Sequence, residues 1–362
     1  EPGKPEAAGE TGSTSAAPTT SFPETPAMSL TRGVWEQAVL AASRAPSPHN
    51  AQPARWRLRD DQVELFEDPT GWLSAADPAG RDSQISLGMA WEAMTAALSL
   101  SGIRLGQPKT VPNPYPPPSA APRTVARATV AGGGTMDILA VHQDTRRCWR
   151  GNFRAAEATE LTALTECVSR HSQVAMPIPD AMRESLAKWY EGATLAGLGD
   201  AGTARELYQW MRFSTRSPAW FRDGLSAECL GLGPLEARCA ALLMQPSVIR
   251  VVVRLGLGHL LISEATKIRS ATMAVTIRAP LGQPPFETGR RWYRFWLAVT
   301  AAGFAGVPMS ALADSDTHRA ALLAQAPVGP GYALVNIMRL GPMPSPPPPR
   351  SARRPVADLL MD

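Results

Sequence analysis

Two Ala-rich stretches of this chain repeat one another at a fixed distance. Gly88 to Gly102 spans 14 positions, with Trp91 three after the first glycine; Gly289 to Gly303 spans 14 as well, with Trp292 three after its first glycine. The offset is 201 throughout, and each closing glycine is followed by an apolar residue, Ile103 or Phe304. Glycine just past a helical pattern takes the left-handed conformation that ends a helix. The first copy therefore reads as a helix over about 84–101, capped by Gly102, and the second as its counterpart. A chain that carries the same helix twice folds most simply as two like halves. At 362 residues there is room for two domains or one duplicated unit.

The remaining pattern fits mixed α and β structure. Apolar positions 34, 35, 38, 39 and 42 give one helical face over 30–43. Residues 55–59 and 63–66 flank Asp60-Asp61 as a hairpin, and 124–130 alternates like a strand. Residues 107–122 are proline-rich and read as an extended connector between the halves. A helix from about Met136, helices over 158–169 and 181–195, and a strand over 332–340 follow. Residues 201–285 have no matching segment earlier in the chain and read as an insertion, a candidate lid. Residues 1–28 are rich in Gly, Pro, Ser, Thr and Ala, and read as a disordered leader with no apolar secretion-signal segment.

Composition narrows the function classes. The net charge is +4 and only four lysines occur, at 4, 109, 188 and 267, so nearly all positive charge is arginine. Dense basic clusters interleaved with aromatics, as nucleic-acid binding needs, are not seen. Cys148, Cys167, Cys229 and Cys239 form no CxxC and no zinc-like spacing with histidine, so free thiols of a cytoplasmic protein are the expectation. No apolar run reaches the roughly 18 residues of a membrane span, because Arg238, Arg250 and Arg254 interrupt the best candidate. The acidic residues show no paired-carboxylate arrangement, and no catalytic residue is assigned.

Two short stretches stand out chemically. Ala45-Pro46-Ser47-Pro48-His49-Asn50-Ala51-Gln52-Pro53 places four hydrogen-bonding side chains in a turn that proline forbids from continuing the helix before it. By composition alone it is an ordinary polar turn. A hundred residues on comes Thr145-Arg146-Arg147-Cys148-Trp149-Arg150-Gly151-Asn152-Phe153, which alone reads as a solvated basic turn. The first stretch resembles the APSxxNxQP signature of the nitroreductase superfamily of FMN proteins. The second resembles that superfamily's RRSxRxF motif, with Cys148 where Ser or Thr is usual. In a typical member the arginine motif comes first, within the same subunit; here the order is reversed.

The resemblance, most like the superfamily's Acg branch, explains the reversal. Nitroreductase-like proteins are homodimers with two FMN sites at the interface, each built from the arginine motif of one subunit and the APSxxNxQP turn of the other. A fused dimer that kept one site and lost the other gives this order of motifs. The implied fold is α+β: two tandem nitroreductase-like halves, 29–135 and 136–362, each a small mixed sheet flanked by helices, packed as an intramolecular pseudo-dimer. A monomer in solution is then expected.

Carried over by position, the resemblance puts Arg146 on the flavin phosphate and Arg147 and Cys148 near the ribityl–phosphate end. Arg350 and Arg353 would complete the phosphate cage, and Arg150 would face the N1/O2 edge of the ring. Ser47, His49, Asn50 and Gln52 would approach the isoalloxazine, with Met309 and Ser310 near N5. Guanidinium forks suit phosphate oxygens, whereas a thiol is a weak donor. The cluster Arg290, Arg291 and Arg294 reads as a solvated face.

The implied activity is that of an FMN-dependent oxidoreductase passing hydride from NAD(P)H or an organic substrate through N5 to a small-molecule acceptor. The alternatives are an FMN-sequestering protein with little or no turnover, and a scaffold without flavin. No nucleic-acid or membrane partner is expected.

Overall fold

A computed structural model describes residues 31–59, 61–260 and 264–361; the expected leader and Asp60 lie outside them. The elements in chain order begin with α1 (Arg32–Ser43), β1 (Ala54–Arg59), β2 (Gln62–Glu67), α2 (Arg81–Ser99), β3 (Arg104–Leu105), β4 (Lys109–Thr110) and β5 (Arg123–Ala131). Next come α3 (Ala158–Arg170), β6 (Ala175–Pro177), α4 (Arg183–Gly199), α5 (Ala201–Trp210), β7 (Met211–Arg212), β8 (Leu225–Ser226), α6 (Pro234–Leu243), α7 (Pro246–Arg254) and α8 (Ala265–Arg269). Finally come β9 (Met273–Pro280), α9 (Pro285–Ala301), β10 (Phe304–Pro308), α10 (Ser310–Asp314), α11 (Asp316–Gln325) and β11 (Tyr332–Pro342).

Two sheets have the same connectivity. In one the order is β1-β2-β5-β3, with β4 also on β5; in the other it is β6-β9-β11-β10. In each, the long helix (α2 or α9) joins the second and third of these strands in chain order, and the fourth returns to lie between them. Every strand pair in the two sheets is antiparallel, so the expected mixed character is reduced to single parallel bridges, Trp56 with Leu360 and Cys148 with Gly306. The first bridge carries the C-terminal residues across to the first sheet: Trp56 N–H donates to Leu359 O at 2.7 Å, and Met361 N–H to Trp56 O at 2.7 Å.

The centre of the molecule is the α2–α9 contact. A Cβ on Gly88 would lie 1.9 Å from Phe286 O, and one on Gly289 would lie 1.9 Å from Ile85 O. Positions 85 and 286 differ by the same 201 as positions 88 and 289, so the contact is locally isologous, as across a two-fold axis. Both helices end on left-handed glycines, Gly102 at φ 69° and Gly303 at φ 88°. One core spans both sheets and includes Trp56, Trp91, Trp292, Phe295 and Trp296. Arg290 and Arg294 are not a solvated face. They reach the buried Glu92 of α2 at 3.0 and 3.1 Å, while Arg291 pairs with Glu287 at 3.5 Å.

The structure moves three expected boundaries. Where the first half has the tight turn between β1 and β2, the second has residues 178–272 between β6 and β9. The segment without a counterpart thus starts before 201 and stops before β9, which is a central strand of the second sheet. The proline-rich 107–122 is not the link between halves. It folds back within the first half, with β4 on β5 and the Tyr115 hydroxyl donating to Glu67 at 2.6 Å. The link is instead 132–157, where turns and a short 3-10 segment at Ala140–His142 replace the expected helix from Met136.

Candidate functional site

α1 stops at Arg44, and the turn after it is held in an uncommon backbone conformation. His49, Asn50 and Gln52 have φ of 48°, 57° and 52°, the left-handed region that non-glycine residues rarely occupy. Ser47 Oγ accepts the Gln52 N–H at 3.0 Å and so serves the turn itself. The strained turn aims the buried Asn50 and Gln52 amides inward. Asn50 Nδ2 donates to Gly224 O at 3.1 Å and Ala352 O at 2.9 Å, while its Oδ1 accepts from Arg353 Nη1 at 2.7 Å. Gln52 Nε2 donates to Arg222 O at 2.8 Å, and its Oε1 accepts the Arg354 N–H at 3.0 Å. The turn therefore holds both the inserted segment and the C-terminal tail.

The arginine stretch reaches the same place. Its Cys148 bridges to Gly306 of β10, which fixes the loop at the edge of the second sheet. Arg146 is buried, donates from Nη2 to Arg44 O at 2.7 Å, and lies 4.7 Å over the Trp296 ring. Its Nε and Nη1 are buried with no partner, as are Arg147 Nε and Arg353 Nε. Arg147 donates to Asp144 O at 2.7 Å, Arg350 also donates to Asp144 O, and Arg353 Nη2 reaches Arg44 O at 3.4 Å. Among the described residues, the carboxylate facing this group is Asp144, which pairs with Arg44.

Five guanidinium groups, Arg44, Arg146, Arg147, Arg350 and Arg353, thus converge with one carboxylate. Burial first, and then the neighbouring arginines, push Arg147 and Arg353 down to about 10, and lower Arg44 and Arg350 as well. Buried cations with idle donors are costly unless an anion meets them. The arrangement suits a phosphate, whose oxygens take guanidinium N–H groups in pairs.

Arg150 lies apart from that cluster. It is half-buried and makes no hydrogen bond or ion pair among the described residues. Its charge acts on His49, Tyr190 and Arg339. Burial, then Arg150, pushes His49 down to about 4, so this imidazole is neutral at physiological pH. The buried Arg339 fixes the loop that carries Arg150, donating to Gly151 O at 2.9 Å and Trp149 O at 3.3 Å.

No contact places Met309 and Ser310 at this cluster. The Met309 N–H donates to Ile337 O at 2.7 Å and its side chain packs in a second core with Leu186 and Ile268; Ser310 Oγ accepts from Asn336 Nδ2 at 3.0 Å. Four contributors escaped the sequence analysis. Arg44 sits at a helix end with no motif, and Arg339 looks like any strand residue. Tyr293 and Trp296 of α9 are 0% and 1% exposed; Trp296 Nε1 has no partner, the Tyr293 hydroxyl faces Arg146, and the Trp296 ring lies beneath the Arg146 guanidinium. Their one available signal was two polar-tipped aromatics three apart on a helix otherwise patterned as core.

The arginine cluster offers idle buried donors, whereas the amides of the turn are already engaged. A cavity beside the turn, lined by Ser47, Gln52, Trp56 and Leu359, has about 20 Å³ of space, enough for a water. The Asn50 and Gln52 amides donate to the chain's own carbonyls.

Two antiparallel sheets of matching strand order with helices between them, and a cationic site that joins two distant motifs, define an α+β protein with a built anion site. Over 338 residues, 91% of this chain and 96% of the relative, the chain is 26% identical to a Mycobacterium tuberculosis protein provisionally named NAD(P)H nitroreductase Acg. The resemblance to the Acg-like branch of the nitroreductase superfamily thus extends over nearly the whole chain. A second M. tuberculosis protein, also provisionally named an NAD(P)H nitroreductase, is 44% identical over 61 residues, 17% of this chain and 18% of its own. Among solved structures, the FMN-dependent nitroreductase NfnB from Mycobacterium smegmatis in complex with NADPH is 17% identical, covering 61% of this chain and 96% of its own at a TM-score of 0.35. At that score the overlay carries no argument. No family model matches the chain.

Proposed function

We propose that this protein is an FMN-dependent oxidoreductase of the nitroreductase type, working as an intramolecular pseudo-dimer with one flavin per chain. The observation that carries the reading is the set of idle buried donors, Arg146 Nε and Nη1, Arg147 Nε and Arg353 Nε, at the junction of the two motifs. Arg146, Arg147, Arg350 and Arg353 would hold the phosphate, with Arg44 closing the cage and Cys148 beside it. When bound, FMN would supply hydride acceptance from NAD(P)H at N5 and its return to a small-molecule acceptor. His49, Asn50 and Gln52 would line the ring side, Ser47 would hold their turn, and Arg150 would take the N1/O2 edge. Met309 is left out of the N5 role because its N–H is engaged in the sheet. A cytoplasmic monomer is part of the proposal.

A yellow protein that releases one equivalent of FMN on denaturation is the expected result; two equivalents, or none, would overturn it. The covered Asn50 and Gln52 amides favour a second reading, a protein that sequesters the flavin. Anaerobic NADH or NADPH separates the two: bleaching supports turnover, and persistent colour supports sequestration.

Two variants test individual roles. A fixed cation at N1/O2 favours whichever redox form carries negative charge there. A net effect of about 1.4 kcal/mol corresponds to about 30 mV for a two-electron couple. Arg150→Met is therefore expected to lower the midpoint potential by tens of millivolts while FMN is retained. Flavin release at unchanged potential would instead make Arg150 a phosphate ligand. Tyr293→Phe removes one neutral donor beside Arg146; a hydrogen bond to a charged group is worth about 1.5–3 kcal/mol. FMN affinity is expected to fall about tenfold or more, and riboflavin affinity to stay the same. Equal losses for both ligands would mean a packing role.

A further inference from the structure

The outer face of the inserted segment is apolar and cationic at once. α6 turns Leu235, Arg238 and Leu242 outward at positions i, i+3 and i+7, with the two leucines 72% and 65% exposed. α7 with its capping residue repeats the pattern with Val248, Val251 and Leu255, at 37%, 52% and 68%. The opposite faces are already used: Ala237 packs with Trp220 and Ala227, and Ile249 with Leu198 and Ala204. Both helices therefore carry apolar side chains on two sides, and the outer side stays exposed among the described residues.

Charge says what covers it. Arg238 and Arg254 are exposed and form no ion pair among the described residues. Surface arginines elsewhere do find carboxylates, as in Arg154–Glu160 at 2.6 Å, Arg183–Asp180 at 2.5 Å and Arg269–Glu184 at 2.6 Å. Within 234–259 the one acidic residue is Glu236, which accepts the Gly233 N–H at 2.8 Å as part of the helix cap. Exposed leucines and valines beside uncompensated arginines match the boundary between acyl chains and anionic headgroups, where apolar side chains insert and guanidinium groups reach back to phosphates. A second copy of the same face is a poorer partner, since a two-fold contact would set these arginines against each other.

We propose that the α6–α7 face binds the surface of anionic lipid membranes, with both helices lying in the interface. No described helix is long and apolar enough to cross a membrane, so the contact is peripheral. The inference stands on this surface alone and is independent of the cofactor reading.

The test is co-sedimentation of the full chain with vesicles of phosphatidylcholine, alone or mixed with phosphatidylglycerol. Strong binding to the mixed vesicles, weak binding to phosphatidylcholine, and release by added salt are expected. V251E/L255E, checked for an unchanged melting temperature, is expected to lose binding to both. R238Q/R254Q should weaken binding to the mixed vesicles by about 30-fold, at about 1 kcal/mol per arginine, and leave the phosphatidylcholine level unchanged. Absence of wild-type binding to the mixed vesicles overturns the proposal, as does V251E/L255E binding like wild type. A dimer in sedimentation velocity that V251E/L255E dissolves, without vesicle binding, would identify a second copy as the occupant and overturn it too.

Discussion

Arg146→Met is expected to abolish tight FMN binding while leaving a folded protein. Arg146 brings two buried idle donors to the cationic cluster, Nε and Nη1. Hydrogen bonds to a charged partner are worth about 1.5–3 kcal/mol each, so losing both predicts a fall in FMN affinity of a hundredfold or more. Riboflavin, which has no phosphate, should bind the variant and the wild type alike. Without ligand the sign reverses. Arg146 is then a buried cation among Arg147, Arg350 and Arg353, and replacing it by an apolar chain relieves like-charge repulsion and desolvation. The ligand-free variant should melt at least as high as ligand-free wild type, and the upward shift on adding FMN should vanish. Fluorescence titration with both ligands and paired thermal melts read all of this. Unchanged FMN affinity in Arg146→Met would defeat the phosphate assignment.

The second large effect concerns the fold. Gly88→Ala and Gly289→Ala each place a Cβ 1.9 Å from a backbone oxygen of the facing helix. Backbone cannot rotate away as a side chain would, so the helices must separate and loosen the core between them. Overpacking of this kind costs about 3 kcal/mol per site. The two substitutions demand the same separation, so the double variant should cost clearly less than the sum of the singles. Gly33→Ala is the control: nothing lies within 4 Å of its Cβ, and in α1 alanine should be neutral or slightly stabilising. Urea midpoints compare all four. A Gly88→Ala midpoint equal to wild type would mean that the helices do not cross at these glycines.

Neutral His49 gives a further check. Its group is pushed down to about 4 by burial and by Arg150, so it is largely neutral between pH 5 and 8. A flavin-binding profile over that range should show no step assignable to His49, and His49→Gln should leave the profile's shape unchanged. A step that disappeared in the variant would place the ring in solvent.

The sequence by itself determined the features that rest on local chemistry. Gly102 and Gly303 mark helix ends because left-handed backbone is cheapest for glycine, and the hairpin around positions 60–61 follows from alternation on either side of a polar turn. The paired glycines and tryptophans at offset 201 pointed to duplication, which the matching strand orders of the two sheets support. The two motifs, though out of their usual order, named their meeting place: Asn50 bonds Arg353, and Arg146 and Arg353 share Arg44 O.

Only the tertiary structure decided what depends on distant partners. β6 is three residues long, Ala175–Pro177, and has no alternation to read; it is a strand because β9 lies beside it. That pairing moved the boundaries of the inserted segment. Arg44, Tyr293, Trp296 and Arg339 carry no local signature, since a helix end, a core aromatic and a strand arginine look alike in any sequence. Their roles arise where α1, α9, the 145–153 loop and the C-terminal tail converge, and burial there turns ordinary side chains into an uncompensated cationic site.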